Sequence, residues 1–178
     1  MPFYKKIQGE RLYLSPLDVD STELYAKWLN DPAVAVTHGT YGQVFSAFGH
    51  RKNVEKEAES GHNYTIVLNE GDRPIGVIAL MSVEHLHQRA TLGILVGEED
   101  CRSKGYGTEA IKLLVDYGFK HLNLHNIMLT VFADNLQALA CYKKAGFKEF
   151  GRWHECAYTN GHYMDDIFME IINNIVRR

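Results

Sequence analysis

The stretch Arg102-Ser103-Lys104-Gly105-Tyr106-Gly107-Thr108 sets two glycines and two cations between an apolar run, Ala90 to Gly97, and an amphipathic one, Thr108 to Leu122. A strand, a glycine turn and a helix start, in that order, present backbone N–H groups at the positive end of a helix dipole. Such a turn can hold a phosphate or pyrophosphate through its main chain. Gly105 and Gly107 let that chain come close, because neither carries a Cβ. The spacing is not that of a Walker loop, which places Gly-Lys-Ser/Thr after its spacer. Nor is it the dinucleotide fingerprint, which needs a third glycine.

A second group of candidates lies in Asn135-Leu136-Gln137-Ala138-Leu139-Ala140-Cys141-Tyr142. On a helix this spacing brings Asn135, Ala138 and Tyr142 to one face. That face carries an amide, a small residue and a phenol, where a core stripe would be aliphatic. Two readings stand: a half-buried Tyr behind an Asn cap, or a phenol presented to a ligand. For taking up a proton, Glu84, His85 and His87 cluster in a polar reversal, and a histidine titrates in the useful range. Cys141 has no His–Asp set to activate it, and on a helix it points about 100° away from Tyr142.

The elements that must position these groups follow from period and punctuation. Gly9 to Ser15 alternates like a strand. Asp18 or Asp20 can cap a helix reaching Leu29, which Asn30-Asp31-Pro32 ends. Ala33 to Gly49 has no clear period and is expected to be irregular, with room for one helical turn. Asn53 to Glu59 is expected to be helical. Strands are expected at Tyr64 to Leu68 and Ile75 to Met81, around the turn Asn69 to Pro74. Ser82 to Gln88 is a second reversal, leading into the strand Ala90 to Gly97. In the helix Thr108 to Leu122, Ile111, Leu114, Val115, Gly118 and Phe119 share a buried face. Asn126 to Phe132 alternates as a strand. A helix from Leu136 to Lys144 should stop at Gly146. Thr159-Asn160-Gly161 reads as a hairpin turn between Phe147–Ala157 and His162–Ile172. The order predicts a mixed α/β sheet with helices on both faces, in one domain over residues 1–178.

Composition narrows the function classes. A formal charge of −3 over 178 residues argues against a general nucleic-acid binder. With 46% apolar content the chain can bury a core without a metal or disulfide staple. Cys101, Cys141 and Cys156 are odd in number and lack metal spacing, which predicts a reduced, cytoplasmic protein. No run has signal-peptide or membrane-span length, so no membrane association is expected.

Together, Arg102-x-x-Gly105-x-Gly107 and Asn135-x-x-Ala138-x-x-x-Tyr142-x-x-x-Gly146-Phe147 resemble the GNAT superfamily of N-acyltransferases. The opening Gly9-Glu10-Arg11-Leu12-Tyr13-Leu14 and the close Thr159-Asn160-Gly161-His162-Tyr163-Met164-Asp165 are similar to its ribosomal-protein N-terminal acetyltransferase branch and the small-amine relatives. The resemblance implies an acyl-CoA N-acyltransferase fold, largely antiparallel with a central parallel pair. It implies direct attack of an amine on acetyl-CoA, with no metal. The main chain of Arg102, Ser103, Lys104, Gly105, Tyr106, Gly107 and Thr108 would hold the pyrophosphate. Lys104, Lys143 and Lys144 are candidates for the remaining phosphate. The pantetheine arm would pair beside Leu95-Val96-Gly97, near Asn135 and Ala138. Tyr142, protonated at neutral pH, would be the general acid that delivers a proton to the CoA sulfur.

The base stays open among Glu84, His85, His87 and a water chain, because Leu92 to Val96 lacks the strand carboxylate of many relatives. The acceptor pocket would draw on Trp28, His38, Tyr41 and Phe45 from the early segments, and on Trp153, His154, Glu155 and Tyr158 from the hairpin. A peptide N-terminus and a small amine such as a polyamine, an amino sugar or an amino acid are all compatible acceptors. A homodimer is expected. Two other readings remain: a silent acyl-CoA-binding module, and an unrelated phosphate-binding α/β protein.

Overall fold

The computed structural model describes residues 3–159 and 161–174. The chain opens with β1 (Ile7–Gln8) and β2 (Leu12–Pro16), paired antiparallel. Asp18 caps a 3-10 turn at Val19–Ser21, and α1 (Thr22–Asn30) follows. Asp31 ends α1 and also starts the next helix. Its carboxylate accepts from the Ala33 N–H at 2.9 Å, and Pro32 takes a first-turn position where its missing N–H costs nothing. The result is α2 (Pro32–Thr37), which corrects the expectation of an irregular segment there. Ser46 caps α3 (Ala47–Glu59), so that helix begins well before Asn53.

The strands β3 (Asn63–Leu68) and β4 (Pro74–Glu84) flank the expected turn, where Gly71 and Asp72 take positive φ. β4 runs past Met81, its expected end, through a break in register between Met81 and Glu84 with Ser82 at φ +49°. Then come β5 (Arg89–Val96), α4 (Tyr106–His121), β6 (Asn126–Phe132), α5 (Leu136–Ala145), β7 (Lys148–Thr159) and β8 (His162–Ile172). β7 and β8 pair as the expected hairpin. Asn160, in its turn, lies outside the described residues.

One sheet holds all eight strands in the order β1-β2-β3-β4-β5-β6-β8-β7. Every neighbouring pair is antiparallel except β5 and β6. That parallel pairing joins only Arg89–Thr91 to Asn126–Met128. Beyond it β5 pairs with β4 alone and β6 with β8 alone, so the two strands part and neither has a strand neighbour on that side.

Helices cover both faces, as the alternation in β4 requires. Ile78 and Leu80 join α4 and α5 in a core with Ile111, Leu114, Leu124, Ile127 and Leu129, all but closed to water. Val77 and Leu95 face the other way, against Tyr25, Trp28, Val34 and Val54 from α1, α2 and α3. Burying each such side chain stabilises by about 1.5–3 kcal/mol. Among the described residues no helix is long and apolar enough to cross a membrane.

Candidate active site

The glycine turn sits where β5 and β6 have parted. A 3-10 turn at Glu99–Cys101 carries the chain from β5 into it. Ser103 (φ +61°) and Gly105 (φ +83°) both take left-handed backbone, and Gly105 is the N-cap of α4. A glycine cap has no side chain to accept from the first-turn amides. Those N–H groups stand uncapped at the wall of a cavity of about 630 Å³, which Arg102, Ser103, Gly105, Gly107 and Thr108 all line. A Cβ at Gly107 would meet only ordinary contacts, Cys141 Sγ at 3.5 Å and Val96 Cγ2 at 3.6 Å. The protein itself does not require glycine there, which leaves the space for a ligand.

The side chain of Arg102 is turned inward, away from any phosphate role. Its guanidinium donates to Asp31 Oδ2 at 2.7 Å, to the Gly97 carbonyl at 2.7 Å and to the Val96 carbonyl at 3.1 Å. The turn, the end of β5 and the start of α2 are thereby locked together. The Arg102 hydrogen bond holds the Asp31 carboxyl below its usual range. From α5, Gln137 Nε2 donates to Ser103 Oγ at 3.0 Å, and Thr108 Oγ1 lies 3.2 Å from Cys141 Sγ. Gln137 was missed by the sequence reading, since no local pattern marks a contact made so far along the chain.

Asn135, Ala138 and Tyr142 line the same cavity, on the face their spacing predicts. Asn135 is also the cap of α5, accepting from the Ala138 N–H at 3.0 Å, so the two readings of that face coexist. Tyr142 is 7% exposed, and its hydroxyl makes no hydrogen bond to another described residue. Burial first, and then the neighbouring Cys141, push the phenol well above its ordinary value, so it stays protonated. Burial also pushes the Cys141 thiol up, which suits a wall residue and not a nucleophile.

Of the other expected cofactor residues, Leu95, Val96 and Lys144 line this cavity, while Gly97, Lys104, Tyr106 and Lys143 do not. Gly97 abuts the Trp28 indole, and its N–H donates to the Ile75 carbonyl at 2.8 Å. Arg11 covers the Tyr106 ring at 4.7 Å, and its Nη1 donates to the Lys104 carbonyl at 3.0 Å. Arg11 thus braces the turn at Lys104 and Tyr106.

A second cavity, about 280 Å³, lies beneath α1 and α3. His38, Met81, Gly93, Ile94 and Leu95 line both cavities, so the two meet along β5. His38 stands at that junction as an exposed residue, with its imidazole crowded on the cavity side. Burial of the imidazole lowers its pKa below the usual histidine value, against an opposing pull from the backbone at Ile94 and Val34. Trp28 is a wall of the smaller cavity, with its Nε1–H already given to Glu98 Oε1 at 2.7 Å.

Several of the expected site residues stand apart from these cavities. Glu84, His85 and His87 line neither cavity. Glu84 is paired with Arg89 at 2.9 Å, and the reversal lies at the end of β5 that is still joined to β6. Tyr41, Phe45, Trp153, His154, Glu155 and Tyr158 also stand outside both cavities. Trp153 is 61% exposed, and the Glu155 N–H and the His154 ring are tied to Asp165.

This arrangement, a mixed sheet splayed at its one parallel pair with a glycine turn at the mouth, defines a class. The family model of the acetyltransferase (GNAT) domain matches residues 11–148. The chain belongs to the GNAT acetyltransferase family. It is 36% identical over 99 residues to the spermidine N(1)-acetyltransferase of Escherichia coli (strain K12), covering 56% of this chain and 53% of that protein. The match thus spans about half the length of that relative. A probable N-acetyltransferase of Bacillus subtilis (strain 168), YjcK, is 26% identical with 94% of this chain and 97% of its own covered. The fold matches the Vibrio cholerae spermidine N-acetyltransferase solved with CoA and spermine, at TM-score 0.80 and 24% identity over 92% of this chain and 96% of that one.

Proposed function

We propose that this chain is an acetyl-CoA-dependent N-acetyltransferase that acts on a primary amine by direct attack in a ternary complex. The observation that carries the reading is that the uncapped helix start at Gly105, Gly107 and Thr108 and the unpartnered Tyr142 phenol line one cavity, which a second cavity meets at His38. The CoA named in a related structure and the amine named in the curated relatives support the same reading. The residues present fit the cofactor: the turn offers main-chain donors to a pyrophosphate, and the edge of β5 that has parted from β6 offers pairing to the amides of the pantetheine arm.

In this reading the amine enters from the smaller cavity and its nitrogen attacks the thioester carbonyl. The C–N bond forms, the C–S bond breaks, and Tyr142 gives its proton to the departing sulfur. His38, whose pKa is lowered from the usual histidine value, takes the proton that the amine loses. This replaces the base candidates expected in the β4–β5 reversal.

Mixing acetyl-CoA with amines and following thiol release tests the proposal; no release with any primary amine would leave a silent acyl-CoA-binding module. The pH profile tests His38. Its folded pKa lies below the unfolded value of about 6.5. The unfolded chain therefore binds more protons between the two values, and stability rises with pH across that window. Activity should be lost as pH falls through the folded value. His38→Asn should remove that acid limb and lower kcat by roughly 10²–10⁴. An unchanged profile in that variant would move the role elsewhere.

A further inference from the structure

We infer that the acceptor is an apolar monoamine, an aryl- or alkylamine whose body fills the smaller cavity, and not a polyamine. This rests on the reading of the chain as an N-acetyltransferase. The cavity wall is made by Leu17, Trp28, Val54, Val77, Ala79 and Leu95, with further apolar neighbours. The polar groups of that wall are largely consumed. The Tyr25 hydroxyl shares a hydrogen bond with Thr65 Oγ1 at 2.7 Å, the Trp28 N–H is given to Glu98, and Asn63 Nδ2 donates to the Glu57 carbonyl and to Ser60 Oγ.

What remains stands at two places. His38 marks the junction with the larger cavity. His50 and Glu57 lie two turns apart on α3, either side of Val54, and both line the smaller cavity. His50 Nδ1 is closed to water and has no hydrogen-bond partner. Glu57 is the one carboxylate among the lining residues of the smaller cavity, where two histidines accompany it. Asp166 lines only the larger cavity, and Asp31 is committed to Arg102.

A polyamine brings two or more cations and needs a carboxylate for each, because an uncompensated buried charge is expensive. One partly crowded carboxyl beside the His50 imidazole does not offer that. An apolar body with a single amine fits on both counts. Its hydrocarbon gains from burial, and its single nitrogen can stand beside His38 at the junction.

Steady-state thiol release should give kcat/KM for tryptamine and phenylethylamine about tenfold or more above that for spermidine. Ala79→Phe, which intrudes on the cavity from β4, should raise KM for tryptamine by roughly tenfold while titration calorimetry shows CoA affinity unchanged. Ala79→Leu makes the same test with a smaller intrusion, should the Phe variant fail to fold. Faster turnover of spermidine, or of a peptide N-terminus, than of either arylalkylamine would overturn the inference. So would an Ala79→Leu variant with unchanged KM for tryptamine. Calorimetric binding of tryptamine to the CoA-loaded chain, without thiol release from acetyl-CoA, would uphold the cavity and refute the enzymatic reading instead.

Discussion

Tyr142→Phe is expected to lower kcat by roughly 10²–10⁴ while KM for acetyl-CoA changes by less than about threefold. The split follows from where the hydroxyl stands. The ring packs against Phe147, with centroids 6.1 Å apart, and Phe preserves that packing. The hydroxyl has no partner among the described residues, so deleting it orphans nothing, and stability should move by no more than about 0.5 kcal/mol. The only interaction lost is one made to the ligand as charge develops on sulfur. Burial raises the phenol's pKa, so the proton is present throughout the neutral range and the deficit should not depend on pH there. Steady-state kinetics beside a thermal melt checks all three points. A kcat within about threefold of wild type would remove Tyr142 from the chemistry.

Arg102→Ala should cost about 2–3 kcal/mol of stability and weaken CoA binding about tenfold or more. Three hydrogen bonds are lost, and two main-chain carbonyls and the Asp31 carboxylate are left behind. The figure sits below that for a fully buried pair because the Arg102 and Asp31 side chains remain 20% and 33% exposed. Arg102→Lys should not rescue, since one ammonium cannot span three acceptors as the planar fork does. Asp31 supplies a pH signature. Its folded pKa lies below its unfolded value near 3.9, so its contribution is complete above that value and is lost as pH falls through the folded pKa. In Arg102→Ala the acid limb of stability should flatten. Urea denaturation between neutral and acid pH reads this out, and a variant of full stability and full CoA affinity would contradict the locking role.

The parts of the site that are legible in the sequence are those fixed by local chemistry. Gly105 marks the turn because left-handed backbone and an uncapped helix start are local properties. The shared face of Asn135, Ala138 and Tyr142 follows from helical period alone. Local signals with two meanings misled. Pro32 ends α1 by restricting the residue before it, yet the same proline with the Asp31 cap begins α2. His85 and His87 have the right chemistry, but which end of β5 they occupy depends on where that strand parts from β6. The smaller cavity was beyond reach for a related reason. Its walls come from α1, α3, β4 and β5, and the group at its junction, His38, closes a short helix that no periodicity announces. The grip of Arg102 on Asp31 joins residues 71 positions apart, a relation that only packing creates.

A crystal structure with acetyl-CoA bound tests the central claim most directly. The account predicts the pyrophosphate within hydrogen-bond distance of the amides at Gly105–Thr108, the pantetheine arm paired along the edge of β5 that has parted from β6, and the thioester sulfur beside the Tyr142 hydroxyl. A cofactor whose sulfur lies away from Tyr142 while its phosphates occupy the turn, or whose phosphates avoid the turn altogether, would contradict it.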